Sequence, residues 1–261
     1  MAELTRLEAH LRTMRDGGRK LLVPYITGGL GDDWTEVLRA FADAGADAIE
    51  VGIPFSDPVM DGPTIQEASE VALAQGANLG AILTALRDAD AGVPLVAMTY
   101  ANLAFHAGYQ RFASEAVAAQ IAGVILPDVP MEEVGEWEPH AKAAGLATVL
   151  LASPLTPDDR LGVLCERSEG FVYGVNLLGV TGERAELASS STVLAKRLKA
   201  TTDLPVVMGF GIATPDQAAA AAAQSDGVVV ASALMRERLD GASPEQLGDR
   251  VARFRAALDA G

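Results

Sequence analysis

The chain contains a single cysteine, Cys165, so it has no intrachain disulfide and no cysteine-based zinc motif. That thiol falls in a helical stretch, where a buried, bland side chain is the plain reading, and a reducing compartment suits it. Basic residues are also short: 20 Lys and Arg stand against 35 Asp and Glu, a formal net charge of −15, with no local cationic cluster. Such a surface repels polyanions, which argues against nucleic acid and anionic membrane faces as partners. It leaves small phosphates open, because one ring of backbone N–H groups binds a phosphate despite an unfavourable global field. No apolar run approaches the roughly 18 residues of a membrane span. No Gly-x-Ser-x-Gly elbow and no Walker loop occurs, so serine-hydrolase and ATPase readings lose their usual support. The three histidines, His10, His106 and His140, read as lying on a helix, a loop and a helix, without metal-ligand spacing.

What is present is 261 residues that are 49% hydrophobic and 21% charged, enough to bury a sizeable core. An α/β barrel runs to roughly 250 residues as one unit, and no Gly/Ser or Pro linker divides this chain, so residues 1–261 read as a single domain. Met1 to Arg19 mixes acidic and basic residues, with Leu4, Leu7, Leu11 and Met14 at helical spacing. That pattern is an amphipathic helix and not a signal or transit peptide, and the expected location is the cytoplasm. Eight short apolar runs then follow: Leu21–Ile26, Ala48–Gly52, Leu95–Thr99, Gly123–Leu126, Thr148–Leu151, Phe171–Val175, Pro205–Met208 and Gly227–Val230. Helical segments between them open at Asp or Pro signals such as Pro63, Pro157-Asp158 and Thr214-Pro215. The runs lack polar alternation, as strands covered on both faces do. The pattern predicts an α/β fold, a (β/α)8 TIM barrel with an extra N-terminal helix plugging its bottom; a doubly wound open sheet is the structural competitor.

Chemistry in a barrel sits at the C-terminal ends of strands. The second strand and its loop, Ala48 to Gln66, read Ala-Ile-Glu-Val-Gly-Ile-Pro-Phe-Ser-Asp-Pro-Val-Met-Asp-Gly-Pro-Thr-Ile-Gln, with Glu50 inside an apolar run. Burial raises the pKa of such a carboxyl and tunes it to exchange protons near neutrality. Its alternative reading is a strand carboxylate paired with a neighbouring Arg or Lys. Asp57 and Asp61 follow in the loop, where Asx turns or helix capping are the competing roles. After the seventh strand, Gly209 and Gly211 permit close backbone approach to a ligand, and after the eighth Ser232 stands where a short helix begins. Those two loops are the usual phosphate site of barrels, so a phosphorylated substrate is expected. Gly209-Phe210-Gly211 lacks the third glycine of a dinucleotide fingerprint and comes late in the chain, which argues against NAD. The sixth strand leads into a long polar loop, including Leu187 to Thr192, that reads either as a lid or as an ordinary connection. Tyr173 on that strand either points into the pocket or fills the barrel.

Taken together, these segments resemble one family, the tryptophan synthase alpha subunits. The resemblance rests on Glu50 to Gln66, on Met-Thr-Tyr-Ala-Asn (98–102), Pro-Asp-Val-Pro (127–130), Gly-Val-Thr-Gly (179–182) and Gly-Phe-Gly-Ile (209–212), in that order across nearly the whole chain. It implies a cofactor-free (β/α)8 barrel that cleaves indole-3-glycerol phosphate to indole and glyceraldehyde 3-phosphate. It also implies a beta-subunit partner carrying pyridoxal phosphate, in an alpha2-beta2 tetramer. Matched by motif, Glu50 is the general acid/base and Asp61 binds the indole N–H. Tyr173, Tyr100 and Phe210 line the pocket, and Thr181 links a lid to Asp61. Gly182, Gly211 and the Ala231-Ser232 turn hold the phosphate. Ala231 stands where the family pattern has Gly, a change tolerated if its φ is negative, and the Thr27–Asp32 turn also departs from the family's Gly-Asp-Pro. The resemblance leaves open a free-standing indole-3-glycerol-phosphate lyase and a catalytically weak barrel that regulates a beta subunit. Another phosphate-binding barrel, such as a sugar-phosphate isomerase, leaves the Glu50 to Gln66 segment unexplained.

Overall fold

Each apolar run of the sequence becomes a parallel strand in the computed structural model, which describes residues 4–175, 184–209 and 211–261, the backbone alone for 184–189. The strands are β1 (Leu21–Thr27), β2 (Ile49–Gly52), β3 (Leu95–Met98), β4 (Ile121–Ile125), β5 (Ala147–Thr148), β6 (Leu151–Ala152), β7 (Val172–Val175), β8 (Val206–Gly209) and β9 (Gly227–Val230). Helices α1 (Arg6–Asp16), α2 (Trp34–Asp43), α3 (Pro63–Ala74), α4 (Leu79–Asp88), α5 (Ala101–Ala107) and α6 (Tyr109–Ala118) lie in the first half. The second half holds α7 (Glu138–Ala144), α8 (Asp158–Arg167), α9 (Arg184–Thr201), α10 (Pro215–Ala222), α11 (Ser232–Leu239) and α12 (Pro244–Asp259). Among the described residues no helix is long and apolar enough to cross a membrane.

The strand order is β5-β4-β3-β2-β1-β9-β8-β7-β6, parallel throughout. The outermost strands, β5 and β6, are parts of one segment. Between them Val149 N–H donates to Val124 O at 3.0 Å, and Tyr173 N–H donates to Leu150 O at 3.1 Å. The sheet therefore closes on itself at its fifth strand, whose ladder changes neighbour halfway along, and the first and last strands pair directly. An open doubly wound sheet has no such closure, so the fold is the (β/α)8 barrel.

Side chains alternate across these strands. Leu21, Val23, Ala48, Val96, Phe171 and Val207 face inward and form one buried cluster. Leu22, Ile49 and Val51 face outward, packed with Val37, Leu38 and Phe41 of α2 in the larger cluster. Helix α1 plugs the N-terminal end: Leu7 and Leu11 are fully buried and belong to the interior cluster. Gly123 and Gly170 make room for it, since a Cβ at either would come within 2.7 Å of Leu7 Cδ2. Buried Asp47 ties the same end together, accepting from Leu22 N–H at 2.8 Å, Arg19 Nε at 2.6 Å and Arg255 Nη1 at 3.3 Å. Two readings change. His106 lies on α5 and not in a loop, and residues 187–192 belong to α9 and not to a polar loop, the Ser-rich stretch being carried within a helix that runs from Arg184 to Thr201.

Candidate active site

Parity places Glu50 inside the barrel, because Ala48 faces the interior and Ile49 and Val51 face the helices. It is 2% exposed. Tyr173 on β7 reaches it from another strand and donates its hydroxyl hydrogen bond to the Glu50 carboxyl, while Oε2 of Glu50 has no partner among the described residues. No Arg or Lys pairs with it among the described residues, which removes the ion-pair reading. Burial raises its pKa to about 8, the negative charge of Asp61 adds to the shift, and the Tyr173 bond opposes it.

Asp61 comes from the loop between β2 and α3, whose shape is set by Pro58 and Pro63 and by Asp61 N–H donating to Pro58 O at 3.0 Å. Tyr100, just past β3, pins this loop. Its hydroxyl accepts from Met60 N–H at 2.9 Å and donates to Asp61 Oδ2 at 3.1 Å. The Tyr100 ring stacks on Phe55 with centroids 4.9 Å apart. Gln66 at the start of α3 adds a bond from Nε2 to Asp61 O at 2.9 Å. Burial raises the Asp61 carboxyl to about 6, against the Tyr100 bond. At pH 7 the two carboxyls therefore differ: Asp61 is mostly ionised and Glu50 mostly protonated, the separation that acid/base division of labour requires. Asp57, by contrast, is exposed, and its carboxylate takes a hydrogen bond from the adjacent Ser56 Oγ at 2.6 Å.

One participant escaped the sequence reading. Tyr25 on β1 is the register partner of Glu50 and is 4% exposed. Three of the chain's four tyrosines, Tyr25, Tyr100 and Tyr173, thus surround the two carboxyls. The signal was parity: Leu21, Val23 and Tyr25 alternate inward, and a lone phenol ends that series. Two glycines give the rings space, since a Cβ at Gly209 would sit 2.4 Å from Tyr173 Cε2 and one at Gly52 would sit 1.8 Å from Tyr25 Oη.

The residues expected to bind an anion follow strands β8 and β9. Gly211 adopts φ +55° with open space where a Cβ would stand. Ala231 caps α11 with φ −117°, so its methyl group is accommodated without left-handed strain, and it supplies no side-chain acceptor to the helix N-terminus that Ser232 opens. Thr214 caps α10 through a reciprocal bond with Gln217. Thr181, Gly182 and Phe210 lie outside the described residues. Beside Met60, the neighbour of Asp61, opens a cavity of about 430 Å³ walled by Leu126, Val149 and Leu151. Cys165 lies elsewhere, buried in α8 with its thiol pushed up to about 11, in keeping with an inert role.

Residues 11–258 match the family model described as tryptophan synthase alpha chain. The tryptophan synthase alpha chain of Streptomyces avermitilis is 42% identical over 227 residues, covering 85% of this chain and 82% of that protein. Among solved structures, the tryptophan synthase alpha subunit of Legionella pneumophila superposes with a TM-score of 0.89 at 32% identity, over 99% of this chain and 100% of that one. Mycobacterium tuberculosis tryptophan synthase gives 0.91 at 35% identity, with 99% and 100% covered.

Proposed function

The chain belongs to the tryptophan synthase alpha chain family, and on that premise we propose that it cleaves indole-3-glycerol phosphate to indole and glyceraldehyde 3-phosphate. The observation that carries this reading is the Glu50 carboxyl buried inside the barrel under Tyr173 with the Asp61 carboxyl held by Tyr100 nearby on the β2–α3 loop, burial raising Glu50 to about 8 and Asp61 to about 6. Retro-aldol cleavage needs a proton delivered to indole C3 and another removed from the adjacent glycerol hydroxyl. Protonated Glu50 supplies the first. As the C–C bond breaks, its electron pair returns to the ring and the hydroxyl carbon becomes the aldehyde, whose lost proton restores Glu50. Asp61, ionised, accepts the indole N–H and stabilises positive charge developing on the ring. The Leu126, Val149 and Leu151 wall of the cavity beside Met60 offers apolar surface to an aromatic ring, with polar Asp128, Ser153 and Arg160 elsewhere in its lining. Tyr173 orients Glu50, and Tyr100 holds Asp61. Gly211, Ala231 and Ser232, with Gly182, take the phosphate, with Phe210 lining the pocket and Thr181 linking a closing segment to Asp61.

In this reading residues 1–261 form one cytoplasmic barrel that uses no cofactor of its own. It works with a tryptophan synthase beta subunit, which carries the pyridoxal phosphate, in an alpha2-beta2 assembly. The test is indole release from indole-3-glycerol phosphate by the purified chain, with and without an added beta subunit, with Glu50→Gln as the blank. Slow release accelerated by the beta subunit supports the reading. Fast release alone points to a free-standing lyase, and no release despite partner binding points to a regulatory barrel.

A further inference from the structure

Two polar groups at the bottom of the active-site mouth have unused hydrogen-bonding capacity. The first is Glu50 Oε2, fully buried and without a partner among the described residues. The second is the phenolic proton of Tyr25. Thr27, itself fully buried, donates its Oγ1 hydrogen to Tyr25 Oη at 3.3 Å. The phenol oxygen is thereby an acceptor toward Thr27, and its own hydrogen is uncommitted among the described residues. The barrel fixes where that hydroxyl oxygen lies. Tyr25 and Glu50 are register partners on adjacent strands, and Tyr25 Oη occupies the space left by the absent side chain of Gly52. Gly52 is two residues beyond Glu50 on the same inward face, about 7 Å along the strand toward the mouth. The Glu50 carboxyl acts electrostatically on this phenol, so the carboxyl and the hydroxyl seated over Gly52 are neighbours on the inward face. Burial, together with the charges of Asp61 and Glu50, keeps Tyr25 protonated, hence a donor.

We propose that Tyr25 is a further substrate-binding residue: its O–H donates to the glycerol hydroxyl oxygen whose proton Glu50 removes, so that the two side chains grip one oxygen from two sides. This rests on the reading of Glu50 given above. The donor strengthens its bond as the O–H proton leaves and negative charge builds on that oxygen, and it weakens again when the neutral aldehyde departs. No proton is transferred from Tyr25. Thr27 is a positioning residue that fixes the phenol's rotation.

The test uses the full-length chain with a beta subunit present, assayed across pH. Tyr25→Phe keeps the ring and removes the donor, and it is expected to lower kcat about tenfold to a hundredfold. KM is expected to stay within about threefold and the alkaline limb near pH 8 in place. Thr27→Val lowers kcat by a smaller factor, and Thr27→Ser recovers it; should Tyr25→Phe not fold, this pair decides. A Tyr25→Phe kcat within twofold of the parent, or a fall accompanied by a displaced Glu50 limb, overturns the proposal, the second outcome assigning Tyr25 to packing. If Glu50→Gln retains cleavage, the underlying reading has failed instead. If Glu50→Gln is inactive and Tyr25→Phe is not impaired, only the present inference fails.

Discussion

At the scale of single residues, the site is an exercise in keeping one carboxyl neutral and another charged within a shared mouth. Cleavage is expected to follow a bell in pH, rising as Asp61 ionises near 6 and falling as Glu50 ionises near 8. Steady-state rates across pH 5–9 check it, and a flat profile removes the pair from the chemistry. Glu50 also carries a stability cost. Its folded pKa lies above its ordinary 4.5, so between those values the native state holds a proton that the unfolded chain has released, and stability falls as pH rises. Glu50→Gln is therefore expected to abolish cleavage and to raise the unfolding free energy at pH 8 by on the order of a few kcal/mol, seen as a higher Tm, a gain that vanishes near pH 4.5. A Tm gain independent of pH contradicts this account. Glu50 was legible in the sequence because a lone acid in an apolar strand has few cheap explanations. Tyr25 was not, because a Tyr in an apolar strand is ordinary core until its register partner is known.

At the scale of elements, the strands only place the carboxyls; loops and helices hold them. The β2–α3 loop keeps its shape through Tyr100, so Tyr100→Phe is expected to lower kcat/KM by roughly tenfold, consistent with loss of a hydrogen bond to a charged group. A change confined to Tm would assign Tyr100 to packing. At the opposite end, Asp47 joins β1, the segment before it and α12. Asp47→Ala leaves the 8%-exposed Arg255 side chain without that partner and is expected to cost about 3 kcal/mol of unfolding free energy, measured in urea. Indole release per folded molecule should be unchanged, because this network lies at the barrel's far end. The Pro and Thr-Pro signals located α3 and α10 directly. The polar, Ser-rich stretch 187–192 misled toward a loop, since composition there does not reveal that α9 continues through it.

At the scale of the whole molecule, apolar side chains stand exposed around the mouth: Val59 on Asp61's own loop at 79% and Phe105 on α5 at 65%. A beta subunit that covers them would restrain both the loop and the helix that follows Tyr100, coupling partner binding to the placement of Asp61. Phe105→Asp is expected to raise about tenfold the beta-subunit concentration giving half-maximal activation while leaving unassisted release as it was; an unchanged titration places the partner elsewhere. The sequence by itself determined the number and order of strands, the plugging helix and the segment carrying the two carboxyls, because these depend on local periodicity, turn chemistry and motif. Tertiary structure decided the rest. Closure at the split fifth strand brought β7 around to Glu50, register set Tyr25 beside it, and burial moved two ordinary carboxyls to about 8 and about 6. Neighbours across a barrel are far apart in the chain, and desolvation belongs to the folded interior and not to any stretch of sequence.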